Sequence, residues 1–264
     1  MNIFLREVKA NLKSLLIWSV IVALFIMVGV SKFQAYYGNP EMLKILDAMP
    51  PALLAAFSMD AFNLTTVSGF YGLMFSYYAL ILAIAAAMWG SDIISKEERD
   101  KTVEFSLTLP VTRSRVVTAK ALAALVNCIL LLLVTWGISA FSVQRYQPDA
   151  AFYRFLALCV AALFVIMLIF WAIGILLGCA MKQYRRAGSA AVSVLLVTFF
   201  LSVIASMSKD LDWLKYLSPF KYFDAGVLLR ESRIDLLYVG ISAAIIVACM
   251  AGAYLAYSKR DLTI

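Results

Sequence analysis

The sequence contains no histidine. That removes the commonest general base and metal ligand at neutral pH. Charge is also scarce: 15% of the 264 residues are Asp, Glu, Lys or Arg, against about 25% in soluble domains. The central stretches of the long apolar runs hold none of these four. Carriers driven by ions or protons keep such groups at membrane depth, so a self-powered carrier is disfavoured. The four cysteines, Cys128, Cys159, Cys179 and Cys249, lie inside apolar runs and form no C-x-x-C; they read as small apolar filler. Neither G-x-x-x-x-G-K-[ST] nor G-x-G-x-x-G occurs, so the chain has no recognisable phosphate cradle. No nucleophile stands beside a base, and an intrinsic hydrolytic enzyme is not expected. Gly/Ser linkers and low-complexity tracts are missing as well.

What is present is hydrocarbon: 64% of the residues are hydrophobic. The excess is gathered into runs of about 20 residues, the length that crosses a ~30 Å bilayer core as a helix. The expected fold class is all-α, a polytopic membrane protein forming a single transmembrane domain over residues 1–264. Six spans are predicted at about 15–37, 68–90, 121–143, 155–181, 187–208 and 236–257. Tyr36, Tyr37, Trp89, Tyr153, Tyr238 and Tyr257 fall near run ends, where amphipathic rings prefer to sit. The first run lacks a convincing small-residue cleavage site and is expected to remain as a span.

Before it, Ile3, Phe4, Leu5, Val8 and Leu12 can share one helical face, with Arg6, Lys9 and Lys13 mostly elsewhere. This predicts a short helix lying in the interface. Six spans put both termini on one side. The segments on that side (1–14, 91–120, 182–186 and 258–264) hold 14 of the 23 Lys/Arg and 7 of the 16 acids. The other side is balanced, so both termini are expected in the cytoplasm of a cell with an inner membrane. On the opposite side, Glu41–Met49 reads as a short helix stopped by Pro50-Pro51. Leu211, Leu214 and Leu217 repeat at helical spacing, and Ser218-Pro219 reads as an N-cap with Pro at the first helical position. Short extracytoplasmic helices are therefore expected before the last span.

Inside the spans the polar groups are mild. Asn127 and Ser76 are the candidates for lining a translocation path; Asn127 is the least comfortable in lipid and is expected to face another helix. Gly174 and Gly178 form a G-x-x-x-G, and Ala248, Gly252 and Ala256 repeat the spacing. Small residues let helix backbones approach in lipid, here first within one bundle and second across a dimer.

The densest charge lies in residues 91–120, which hydrocarbon excludes. Ser95-Lys-Glu-Glu98 has capping-box spacing. Glu97 and Lys101 are an i,i+4 pair, Val103 and Leu107 add an apolar face, Pro110 ends the segment, and Thr112 can cap the helix that follows. A helix–Pro–helix with exposed apolar groups is a docking element. The alternative is a membrane-embedded sensor or assembly scaffold that docks a different cytoplasmic partner through the same loop.

This loop, from Ser95-Lys-Glu-Glu98 through Thr102-Val-Glu104 and Leu107 to Pro110-Val-Thr-Arg113, resembles the segment after the second span of bacterial type-2 ABC transporter permeases. Lys101 stands where that family often has Gly, and Phe105 where it often has Leu. Leu217-Ser-Pro-Phe-Lys-Tyr-Phe223 resembles the segment before the family's last span. The resemblance implies an exporter permease paired with a second permease subunit, as a homodimer or heterodimer, and with two copies of an ABC ATP-binding subunit. ATP and Mg would sit on that partner and no cofactor on this chain; the lipid bilayer is its surroundings, and no nucleic acid partner is implied. Position by position, it makes Glu97, Glu98, Thr102, Glu104, Leu107, Pro110 and Arg113 the ATPase-coupling contacts of a cytoplasmic coupling helix. Phe4, Arg6 and Lys9 become a secondary cytoplasmic contact.

Overall fold

The computed structural model describes residues 3–39, 41, 48–50, 54, 62–99, 112–181, 183–207 and 209–259. Among them there is no strand. In chain order the helices are α1 (Ile3–Ala10), α2 (Leu12–Tyr36), α3 (Val67–Arg99), α4 (Arg113–Ser142), α5 (Ala150–Ala180), α6 (Tyr184–Met207), α7 (Pro219–Tyr222), α8 (Ala225–Glu231) and α9 (Leu236–Ser258). Short 3-10 turns at Gln144–Tyr146 and Lys209–Leu217 join them. Helices α2 to α6 and α9 carry the six stretches long and apolar enough to span, and the protein is an all-α polytopic membrane protein. The helix expected at Glu41–Met49 lies mostly outside the described residues.

Polar residues fix where the spans begin. Thr66 Oγ1 accepts from Gly69 N–H at 3.1 Å to cap α3. Thr112 Oγ1 accepts from Arg115 N–H at 3.4 Å ahead of α4. Asp149 accepts from Phe152 N–H and Asp235 from Leu237 N–H, both at 2.9 Å, ahead of α5 and α9. Each satisfies an amide that the helix itself leaves unpaired.

Helix α5 is the central rod. Ile166, Met167, Ile169, Phe170 and Ala172 have no exposed surface, and residues this close in sequence point in all directions round a helix. It packs against α3, α4, α6 and α9. Its closest neighbour is α3, and glycine makes that approach possible. A Cβ added at Gly174 would lie 2.4 Å from the Ala87 carbonyl oxygen, and one at Gly90 2.5 Å from that of Trp171. One at Gly178 would meet the Ser91 carbonyl oxygen at 2.9 Å. The G-x-x-x-G therefore packs within the bundle. Gly252 does the same for α9, set against the Leu176 side chain. Trp171 Nε1–H donates to the Ala121 carbonyl at 3.2 Å and ties α5 to α4.

Two local readings are corrected. Ser95 caps nothing: α3 runs unbroken to Arg99, and Ser95 Oγ donates to the Ser91 carbonyl at 2.8 Å. Ser218 does stand at the N-cap position before Pro219 of α7, but makes no cap bond; its hydroxyl donates to the Thr198 carbonyl of α6 at 2.7 Å. In both, a nearby carbonyl competes for the hydroxyl.

Gly174→Ala is expected to lower the thermal midpoint of the purified protein, because overpacking against backbone costs about 1–3 kcal/mol. Gly137→Ala, where nothing lies within 4 Å, should leave the midpoint unchanged or slightly raised, since Ala is the better helix former by about 1 kcal/mol. Equal melting of the two variants would remove the close crossing.

Candidate functional site

At 33 residues and about 1.5 Å per residue, α3 is about 50 Å long, well beyond the ~30 Å hydrocarbon core. The charged last turns, from Asp92 to Arg99, are the end that hydrocarbon would exclude, and Lys96 there pairs with Glu7 of α1. Glu97 and Glu98 are in that projecting end, with only their backbone described. Thr102, Glu104, Leu107 and Pro110 lie outside the described residues. Arg113 is placed: its Nη1 donates to the carbonyls of Tyr257 and Ser258 at 3.4 and 3.2 Å. It thus holds the last turn of α9, where unpaired carbonyls favour a cation.

The N-terminal helix anchors the same end of α3. Phe4 and Val8 pack against the core, whereas Leu5 and Leu12 are half exposed, so the expected apolar face is only partly used. The residue that α1 buries most deeply is Glu7, 1% exposed. Its carboxylate pairs with Lys96 on α3, and Arg6 Nη2 stands 3.4 Å away on the other oxygen. Arg6 therefore contributes to this ion pair, Phe4 faces inward, and Lys9 is exposed. Periodicity gave no sign of the pair, because a lone Glu among apolar residues reads as solvated.

Two cavities lie along the seam between α3 and α6. The first, at the terminal face, has a volume of about 720 Å³. Helix α3 supplies Met88, Trp89, Ser91, Asp92 and Ser95, α6 supplies Arg185, Gly188, Ser189 and Val192, and Ser14 and Trp18 come from α2. Both stripes have i, i+3/i+4, i+7 spacing, which places them on single helix faces. The second cavity, of about 260 Å³, lies at the opposite end of the seam. Phe62, Phe75, Tyr77, Phe199, Phe200 and Phe220 make it aromatic, with the hydroxyl-bearing Ser76, Ser202 and Ser206 among them. Its rim carries Lys221 and Asp224, paired at 2.8 Å.

Ser76 therefore does line a cavity, and Asn127 lines neither. Asn127 is fully buried in α4, as expected of a residue facing other helices, and neither its Oδ1 nor its Nδ2 has a hydrogen-bond partner among the described residues. The sequence reading missed Trp18, Asp92 and Arg185. Ending the second span at Gly90 made Asp92 a loop charge; continuing the helix by two turns brings it onto the face of Met88 and Ser95.

Asp224 sits between α7 and α8 on the face opposite the termini. Burial alone would raise its pKa. The Lys221 charge and hydrogen bonds from Lys221 and from the N–H groups of Gly226 and Val227 outweigh burial and hold it below the usual carboxylate value. The carboxylate form thus closes the α7–α8 turn.

The sequence model of a family described as ABC-2 family transporter protein matches residues 1–262. No curated protein matches the chain.

Two outcomes follow from the ion pairs. Glu7→Leu should destabilise the protein by about 3–5 kcal/mol, the cost of stranding a largely buried Lys96, and Glu7→Leu/Lys96→Met should recover most of it in a thermal double-mutant cycle. A single and a double variant of equal stability would contradict this. At Asp224 the folded pKa is depressed, so its contribution is full above the unfolded value near 3.8 and fades as pH falls through the folded value. Asp224→Asn should accordingly be less stable than wild type at pH 7, with the gap in thermal midpoint closing as the pH falls below 3.8.

Proposed function

Because the chain belongs to the ABC-2 transporter family, we propose that it is the transmembrane permease subunit of an ATP-driven exporter, moving a hydrophobic or amphipathic compound along the α3–α6 seam. It is a membrane component of an ABC transporter, and the catalytic work falls to ABC ATP-binding subunits. In this reading two such subunits bind ATP and Mg on the cytoplasmic face, which carries both termini. A second permease subunit completes the assembly.

The observation that carries the reading is the continuity of α3. One unbroken helix joins the loop expected to meet the ATPase to both cavities. Closure of the ATPases on ATP would push on residues 97–113. A stiff helix transmits that displacement along its length, and the spans change between two packings. The Glu7–Lys96 pair makes α1 move with the root of the loop. Cargo would enter the larger cavity from the cytoplasmic leaflet and leave past the aromatic one, where Ser76, Ser202 and Ser206 offer hydroxyls among rings.

The test is co-purification with a soluble Walker A protein, sought first in the neighbouring reading frames, followed by ATPase and transport assays in proteoliposomes. Leu107→Asp should lower transport-coupled ATPase at least about tenfold, because a charge forced into an apolar contact costs upwards of ~1.4 kcal/mol. The permease level in the membrane should not change. If Glu98→Ala/Leu107→Asp leaves assembly and coupling intact, the loop is not the drive point and docking of another partner replaces this reading.

A further inference from the structure

The cavity at the end of the seam away from the termini joins aromatic walls to uncommitted hydroxyls. Six phenylalanine rings line it. Phe220 is held edge-on to Phe199 at 5.3 Å and tilted against Phe170 of α5 at 5.2 Å, so part of the wall is fixed before anything binds. Among the described residues its charged lining groups are Lys221 and Asp224, and these answer each other at 2.8 Å. The second Asp224 oxygen accepts from the N–H groups of Gly226 and Val227. The side-chain hydroxyls come from Ser76, Tyr77, Ser202 and Ser206. Ser202 Oγ donates to the Phe199 carbonyl at 2.6 Å, and Ser206 Oγ to the Ser202 carbonyl at 3.0 Å; each keeps lone pairs that can accept. Ser76 and Tyr77, both on α3, have no hydrogen-bond partner among the described residues, so their hydroxyls can donate as well as accept. A serine inside a helix can return its proton to a carbonyl one turn back. Its two counterparts on α6 do so, and Ser76 does not. The volume of about 260 Å³ exceeds the ~150 Å³ that admits one benzene ring and lies below the ~300–1,000 Å³ of drug-sized sites.

We propose that this cavity binds a small, uncharged, fused-ring aromatic compound that carries a hydroxyl. The assignment deepens the exporter reading and rests on it for one point alone, that the compound is cargo. Phenyl walls favour an aromatic body over a saturated one of the same size, because ring edges and faces attract each other beyond the area they bury. A hydroxyl on that body brings one proton and two lone pairs. The lone pairs of Ser202 and Ser206 match the proton, and the free hydroxyls of Ser76 and Tyr77 match the lone pairs. A carboxylate or an ammonium would leave water for a wall of rings where the opposite charge is already engaged, which is costly. A lipid acyl chain could fill the volume but would leave the Ser76 and Tyr77 hydroxyls unanswered.

The experiment is equilibrium dialysis at pH 7 with the full chain in phosphatidylcholine nanodiscs, empty nanodiscs as blank for partitioning into lipid, and no ATPase present. The probes are 2-naphthol, its saturated counterpart decahydro-2-naphthol, 2-naphthoate, 2-naphthylmethylammonium and naphthalene. 2-Naphthol should saturate about tenfold more tightly than the saturated alcohol and than either charged probe. Ser76→Ala/Tyr77→Phe should weaken 2-naphthol about fivefold and leave naphthalene unchanged, because only the hydroxyl loses partners. Phe199→Leu should narrow the preference for 2-naphthol over decahydro-2-naphthol. In the wild-type chain, equal binding of the saturated alcohol would make the cavity a groove for acyl chains and overturn the proposal. Equal binding of either charged probe overturns it too, as does absence of saturable 2-naphthol binding; none of these three results depends on how a variant folds. Because no ATPase is needed, a chain that couples to its ATPase yet fails here loses only this assignment, and one that binds 2-naphthol without coupling loses only the exporter reading.

Discussion

The structure depends on the backbone-to-backbone crossing of α3 and α5. At Gly90, Gly174 and Gly178 any side chain would occupy space already filled by the main chain of the other helix. In lipid there is no hydrophobic drive to bring apolar helices together, so association relies on close dispersion contact and on small residues that permit it. The crossing supplies that contact at the centre of the bundle, where Ile166, Met167, Ile169, Phe170 and Ala172 of α5 are buried on every side of the helix. Around this pair, α4 is tied on through Trp171 and Ala121 and through a hydrogen bond between Tyr71 and Ser139 at 3.3 Å. Helices α2, α6 and α9 bury far less and turn residues such as Leu24, Phe200 and Val247 outward. The periphery is apolar because its surroundings are hydrocarbon or another protein surface.

That arrangement gives α3 two unlike faces. Toward α5 it presents glycine and alanine, with Ala83, Ala86 and Ala87 fully buried. Toward α6 it presents the residues of both cavities. Size and chemistry differ between the ends: indoles, hydroxyls and charge at the terminal face, phenyl rings at the other. At the polar end the hydroxyls of Ser91, Ser95 and Ser189 return their protons to carbonyls one turn back, which lets them sit at that depth. The charged groups lie within the last turns of α3 and the first turn of α6, where the bilayer gives way to water.

Much of this was legible in the sequence, for physical reasons. Uncharged runs of spanning length have one solution in a bilayer, since the helix is the local way to satisfy every backbone group. The spans, the cap at Thr112 and the packing role of Gly174 and Gly178 follow from such local rules. The cavity at the terminal face was not legible, because it depends on α3 continuing past Gly90, and hydropathy marks where oil ends and not where a helix ends. The Glu7–Lys96 pair joins residues almost ninety positions apart, and no periodicity encodes a contact of that kind. Ser76 could be singled out as a hydroxyl in an apolar run, but the rings of Phe199 and Phe220 that complete its surroundings arrive from other elements.

The same crossing bears on how such a protein can move. Interdigitated backbones do not slide by fractions of an ångström, because each small shift drives a Cα into a carbonyl; packed interfaces are bistable and not continuously soft. A push on the projecting end of α3 therefore finds resistance along α5 and carries the pair together. On the α6 side the contact is interrupted by two voids, so separation there forfeits fewer dispersion contacts per ångström of travel. Locked against α5 and interrupted by cavities toward α6, α3 separates at lower cost along the α6 seam than along the α5 crossing.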